Sequence, residues 1–282
     1  RHTWLLFYLF GASPSVCKSF LKGHKHNLDE YAGNSFYAPY ATSLRMSDLG
    51  YSNDAQSSIK VCYNELENFT DSLLDAMNTP YPEYQKIGVK IDGKYQQLNA
   101  NLLQIENEFY GSIRPKRVAK SGERPSHALI ERGVEYVEVR CMDLNPYVPI
   151  GIDQETMIFL DIFLLFCLFE DSPEMTSEIT RKYADNNQLA VMRGREPGLM
   201  LRRKGNGEGE SEEISLINWG NEMITRMQPI AEMLNSIHFT QRYTQVLELQ
   251  STKLSDPDLT PSGMILNDVQ NNYNSFFDFA IT

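Results

Sequence analysis

Gly133-Val-Glu-Tyr-Val-Glu-Val-Arg140 has the alternation of a β-strand. Successive strand side chains face opposite ways, so Val134, Tyr136, Glu138 and Arg140 share one face and Glu135, Val137 and Val139 the other. An acid and a guanidinium then stand side by side, about 7 Å apart at ~3.3 Å rise per residue. Such a pair suits a site for a divalent cation together with a phosphate or carboxylate. An ion pair on a solvated sheet face explains the same pattern. Upstream, Leu102-Leu-Gln-Ile-Glu-Asn-Glu-Phe-Tyr110 reads likewise, with Gln104, Glu106, Glu108 and Tyr110 on one face. Two acids at i and i+2 repel unless a cation compensates. Ile113-Arg-Pro-Lys-Arg117 follows, with Arg114, Lys116 and Arg117 offering either a solvated basic turn or a polyphosphate site. Glu106, Glu108, Glu138 and Arg140 beside those three cations fit a metal plus a nucleoside triphosphate.

Working outward, Ile87 to Ile91, the turn Asp92-Gly93 and Lys94 to Leu98 predict a hairpin. Helices are predicted over Val61–Met77, Gln154–Phe169, 181–200, 216–234 and about 239–254. Thr79-Pro80-Tyr81-Pro82 stops the first of these. Residues 1–22 read as a helix broken at Gly11-Ala12-Ser13-Pro14, and 23–58 as a polar loop. Residues 202–210 read as an exposed, glycine-punctuated loop. Helices, then strands, then helices predict an α+β fold with an antiparallel sheet, with no linker marking a domain boundary within 1–282.

Composition narrows the function. The 282 residues carry 26 Lys+Arg against 37 Asp+Glu, a net charge of −11, which opposes general nucleic-acid binding. Cys17, Cys62, Cys141 and Cys167 form no C-x-x-C pair and no Cys/His cluster, so mostly buried, reduced thiols in a cytosolic protein are expected. Trp4–Phe10 is too short for a bilayer and Met157–Phe169 contains Asp161, so no membrane span is expected. Neither a P-loop nor a dinucleotide fingerprint, a G-x-S-x-G or an H-E-x-x-H is present. Any ATP would therefore meet a sheet-and-metal site.

Tyr40-Ala-Thr-Ser-Leu-Arg-Met-Ser-Asp-Leu-Gly-Tyr51, Leu103–Tyr110, Ile113–Arg117 and Gly133–Arg140 together resemble the proteobacterial glutamate–cysteine ligases. Phe10-Gly-Ala-Ser-Pro14 and Asp256-Pro-Asp-Leu-Thr260 extend the resemblance over nearly the whole chain. It implies an antiparallel sheet of the glutamine synthetase, carboxylate–amine ligase type with helices around it. It also implies ATP-dependent joining of the glutamate γ-carboxylate to the cysteine amine, the cytoplasmic first step of glutathione biosynthesis. By resemblance, Glu138 would ligate Mg²⁺ (or Mn²⁺) and Arg140 would contact the γ-phosphate and the acyl phosphate. Arg45 would hold the glutamate α-carboxylate, and Tyr51 and Tyr110 would line the cysteine pocket. Arg114, Lys116 and Arg117 as ATP contacts, and Glu106 and Glu108 as further metal ligands, are inferred from charge.

Position 1 is Arg rather than Met, and the family's other acidic ligands precede the matched motifs. The expectation is a part of a larger, monomeric catalytic module, incomplete at both ends and with little or no ligase activity alone. A ligase module of a bifunctional glutathione synthase, or a non-catalytic binding homologue, would share these motifs.

Overall fold

The computed structural model describes all residues except 22, 51–53, 60 and 206–210. In chain order come α1 (Thr3–Phe10), β1 (Ser15–Cys17), β2 (Asp29–Tyr31), β3 (Ser35–Tyr37), α2 (Leu66–Asn78), α3 (Pro82–Ile87), β4 (Lys90–Ile91) and β5 (Lys94–Tyr95). Then follow β6 (Ile113–Lys116), α4 (Pro125–Arg132), β7 (Tyr136–Val139), α5 (Gln154–Phe169) and α6 (Ser177–Arg193). The chain continues through β8 (Met200–Lys204), β9 (Ser211–Ser215), α7 (Leu216–His238), α8 (Arg242–Ser255), α9 (Pro261–Asn271) and α10 (Phe276–Ile281). The class is α+β, and every described strand ladder is antiparallel: β1–β3–β2, β4–β5, β6–β7 and β8–β9. These are ladders of two or three strands rather than one broad sheet.

Two compact units divide the chain, Arg1–Gly50 with Met142–Thr282, and Tyr51–Cys141. The larger is mainly helical. Its α1 is apolar all round and wholly buried, as a helix without a polar face must be. Trp4 packs on Trp219 at 4.7 Å between ring centroids, and Phe10 meets Phe159 of α5 at 5.3 Å. The Asp153 carboxylate accepts the Thr156 N–H at 2.7 Å and starts α5 where the apolar run begins. Along α7, Trp219, Met223, Ile224, Met227, Ala231 and Leu234 are buried. In the smaller unit, Phe69, Leu73 and Ala76 of α2 close on Leu103, Phe109 and Leu129 of α4. Among the described residues no helix is long and apolar enough to cross a membrane.

Several expectations change. The helix at the start does not resume after Pro14, because Ser15–Cys17 pairs with Ser35–Tyr37 in the stretch read as a loop. In the predicted hairpin only β4 and β5 pair, Ile87 belonging to α3, while Asp92 and Gly93 take the positive φ values of 50° and 81° that a type I′ turn requires. Arg202–Lys204 is strand, not loop, and residues 206–210 lie outside the described residues. The largest correction concerns Leu102–Ile113. Only Ile113 is strand, Glu106–Glu108 forms a single 3₁₀ turn, and the proposed acid face does not exist.

Candidate functional site

The β6–β7 pair of the smaller unit carries the chemistry expected of Glu138. Its register sets Arg114 opposite Glu138 and Lys116 opposite Tyr136, with Ile113 opposite Val139 and Pro115 opposite Val137 on the apolar face. The Arg140 N–H donates to the Ser112 carbonyl at 2.8 Å and continues the ladder, which keeps Arg140 on the Glu138 face. Arg114, Lys116 and Arg140 thus share one face with a single carboxylate. A local excess of two positive charges results in a chain whose net charge is −11. Lys116 Nζ lies 3.7 Å from Glu138 Oε2, beyond hydrogen-bond length. Glu138 Oε2 is buried and accepts no hydrogen bond among the described residues. Lys116 is its ion-pair partner, but the oxygen keeps hydrogen-bonding and ligating capacity that this contact does not use, and in that respect the position fits a divalent metal.

The neighbouring charges have other work. Arg114, 5% exposed, donates through both terminal nitrogens to the Asn107 carbonyl at 3.3 Å and lies 5.8 Å from the Phe109 ring centroid. Arg117 donates to the Arg132 carbonyl at 2.8 Å and its Nε stands 3.6 Å from Glu135, on the opposite face of β7 from Glu138. Glu106 accepts the Ser126 N–H at 2.7 Å and the Ser126 hydroxyl at 2.8 Å, capping the first turn of α4. Glu108 accepts the Gln104 N–H at 2.7 Å and, more weakly, that of Ile105 at 3.4 Å. Both carboxylates anchor backbone rather than converging with Glu138. Among the described residues no three His, Cys, Asp or Glu side chains cluster as a metal site. Tyr110 is 41% exposed, and its N–H is held by Gln56 Oε1 at 2.8 Å. Tyr51 lies outside the described residues.

Arg45 belongs to the larger unit, in a 3₁₀ turn over Leu44–Met46 that Ser43 caps. Its Nε donates to Asp143 Oδ1 at 2.5 Å and one Nη to the Met142 carbonyl at 2.8 Å. Thr42 N and Ser43 N both donate to the Val191 carbonyl at the end of α6, which fixes the segment leading into Arg45. Gly50 packs against the same turn so closely that a Cβ there would lie 2.2 Å from the Arg45 carbonyl oxygen. Sequence reasoning missed Asp143; the signal was an acid three residues beyond Arg140, immediately after the strand. None of the four cysteines is in a disulfide, but only Cys141 is buried, so the thiols are more exposed than composition suggested.

Comparison with known proteins places the chain as a whole. The family profile for glutamate-cysteine ligase matches residues 1–191. The chain is 48% identical over 281 residues to the glutamate–cysteine ligase of Pseudomonas entomophila, all of this chain aligning with 52% of that protein. It is 49% identical to the Alcanivorax borkumensis enzyme, again over its whole length and 53% of the relative. The chain therefore spans about half the length of the curated relatives it matches. The crystal structure of a Francisella tularensis glutamate–cysteine ligase in complex with AMP superposes with a TM-score of 0.89 at 35% identity, over 99% of this chain and 54% of that one. A bifunctional glutathione synthetase from Pasteurella multocida shares the fold, with a TM-score of 0.65 at 22% identity over 96% of this chain and 28% of that one. Profile, relatives and fold agree along the stretch that carries Arg45, Glu138 and Arg140, and the chain belongs to the glutamate–cysteine ligase family.

Proposed function

We propose that these 282 residues carry the phosphate-handling strands and the glutamate-anchoring arginine of an ATP- and Mg²⁺-dependent ligase. It would join the γ-carboxylate of L-glutamate to the amine of L-cysteine, the first step of glutathione biosynthesis, in the cytoplasm. The observation that carries the reading is Glu138, whose buried oxygen lacks a hydrogen-bond donor among the described residues on a face otherwise held by three cations. The AMP in the Francisella relative's crystal supports an adenine nucleotide as the ligand. We further assign β6–β7 to an antiparallel sheet of the glutamine synthetase type, its other strands lying beyond this pair.

A carboxylate is a poor electrophile. ATP would transfer its γ-phosphoryl group to the glutamate γ-carboxylate, forming an acyl phosphate and ADP. The cysteine amine would then attack the acyl carbon, phosphate would leave with the C–O bond electrons, and the amine would lose a proton. Charge builds on phosphoryl oxygens in both steps, so electrostatic stabilisation outweighs any need for a covalent nucleophile. Arg140 and Lys116 would stabilise those oxygens. Glu138 would hold Mg²⁺, which neutralises phosphate charge when bound. Arg45 would orient glutamate through its α-carboxylate, and Tyr110, with Tyr51, would line the cysteine side. Arg114 supports the strand pair through Asn107 and offers its charge to the same face. Arg117, tied to Arg132 and Glu135, contributes long-range positive potential. Glu106 and Glu108 we assign to backbone support rather than metal.

The 282 residues alone are expected to turn over slowly, since one carboxylate gives an incomplete metal shell. The test of the function is a chimera in which they replace the matching half of a full-length relative. γ-Glutamylcysteine and ADP should form only with ATP, Mg²⁺, glutamate and cysteine together, and Arg140→Ala should abolish the coupling. A folded, ATP-binding chimera that makes no γ-glutamylcysteine would overturn the assignment.

A further inference from the structure

We propose that Asp143 is the positioning residue that orients Arg45 and makes it select a carboxylate at the glutamate α-position. The inference rests on the reading that Arg45 binds that carboxylate. Asp143 has a side chain only 4% exposed, whereas that of Arg45 is 37% exposed. Both Asp143 oxygens are engaged: Oδ1 accepts Arg45 Nε at 2.5 Å, and Oδ2 accepts the Ala12 N–H at 2.8 Å and the Ser13 hydroxyl at 2.9 Å. Ser13 Oγ also accepts the Arg45 N–H at 3.2 Å and lies 3.2 Å from Ser43 Oγ. The guanidinium and its own backbone are therefore fastened to one carboxylate–hydroxyl pair at the end of α1.

An arginine on a flexible stem loses rotamer entropy each time it clamps a ligand, and a buried partner removes that cost in advance. Nε makes the charge-assisted contact to Asp143 while one Nη donates to the Met142 carbonyl at 2.8 Å, and together they hold the planar guanidinium in one plane. Gly11 and Gly50 both crowd the segments being joined. A Cβ at Gly11 would stand 2.5 Å from the Phe7 carbonyl oxygen and 2.6 Å from that of Thr42, so the end of α1 lies directly against the segment leading to Arg45. Asp143 is the second residue of the larger unit after the chain leaves the strand pair, and its role is to hold another residue's geometry without touching the substrate.

The test is calorimetric titration of L-glutamate and of its α-amide into the unaltered chain and into Asp143→Asn, Ser13→Ala and Arg45→Ala. Asp143→Asn keeps shape but removes the charge. It should weaken glutamate binding about tenfold and cut the preference for glutamate over the α-amide by a similar factor. Ser13→Ala, which leaves the charge in place, should cost about threefold and provides the test if the first variant does not fold. A purely structural role would weaken both ligands equally. That result, or an unchanged preference in folded Asp143→Asn, overturns the inference while loss of binding in Arg45→Ala keeps the underlying reading. Unchanged glutamate affinity in Arg45→Ala, or none in the unaltered chain, overturns the reading itself.

Discussion

At the scale of single residues, Glu138 and Glu106 show how one side-chain type takes two jobs. Glu138 lies on a strand, beside Lys116 and opposite Arg114, with a buried oxygen that accepts no hydrogen bond among the described residues. Glu106, the same side-chain type, has both oxygens taken by Ser126. Glu106→Ala should therefore destabilise the protein by about 1–2 kcal/mol through loss of the cap on α4. Urea melts would read this, and Mg²⁺-dependent ATP affinity should stay unchanged in the folded variant. Loss of ATP binding at normal stability would return Glu106 to the metal site. The sequence made Glu138 and Arg140 legible because a strand alternates sides regardless of tertiary context. It misled over Glu106 and Glu108 because Leu102–Tyr110 alternates apolar and polar residues too. There, side-chain bonds to nearby backbone N–H groups outweigh the pairing of a strand.

Among the elements, the long apolar ones were readable and the short polar ones were not. α5 runs over Gln154–Phe169 as its composition predicts, because Asp153 supplies a cap and thirteen residues from Met157 are almost all apolar. Asp153→Ala should lower stability by about 1 kcal/mol, seen as a lower midpoint in a thermal melt. An unchanged midpoint would show that packing alone sets the start of α5. β1, β2 and β3 have three residues each, too few for a periodic signal, and their pairing depends on contacts distant in sequence. Gly11 marks where α1 meets the Arg45 segment. Gly11→Ala, forced against two backbone oxygens, should cost about 1–3 kcal/mol and weaken glutamate binding with it. Normal stability and affinity would contradict that close approach.

For the whole molecule, the division into two units escaped sequence reading because the chain crosses at Gly50/Tyr51 and Cys141/Met142 without a Pro- or Gly-rich linker. Each unit carries carboxylates that arginine or lysine holds below their usual range. Glu123 is drawn down to about 2 by Arg132 and the Lys120 N–H, and Glu178, Glu196 and Glu212 are lowered by Lys182, Arg193 and Arg203. The folded state then binds protons less readily than the unfolded chain, whose carboxyls titrate near 4.5. Stability from these pairs should be fully present above that value and lost as pH falls toward about 2, modestly because the groups are exposed. Thermal midpoints across that window should decline, and added salt should shrink the decline. A flat profile would deny the pairs any role.

On the proposed function, the Glu138 face would receive a metal-bound nucleoside triphosphate. That is tested most directly by titrating ATP into the 282-residue chain with and without Mg²⁺, and repeating this with Glu138→Gln. Binding should require Mg²⁺ and be weakened at least tenfold in a Glu138→Gln protein of normal stability. Mg²⁺-independent binding, or equal affinity in the variant, would contradict it.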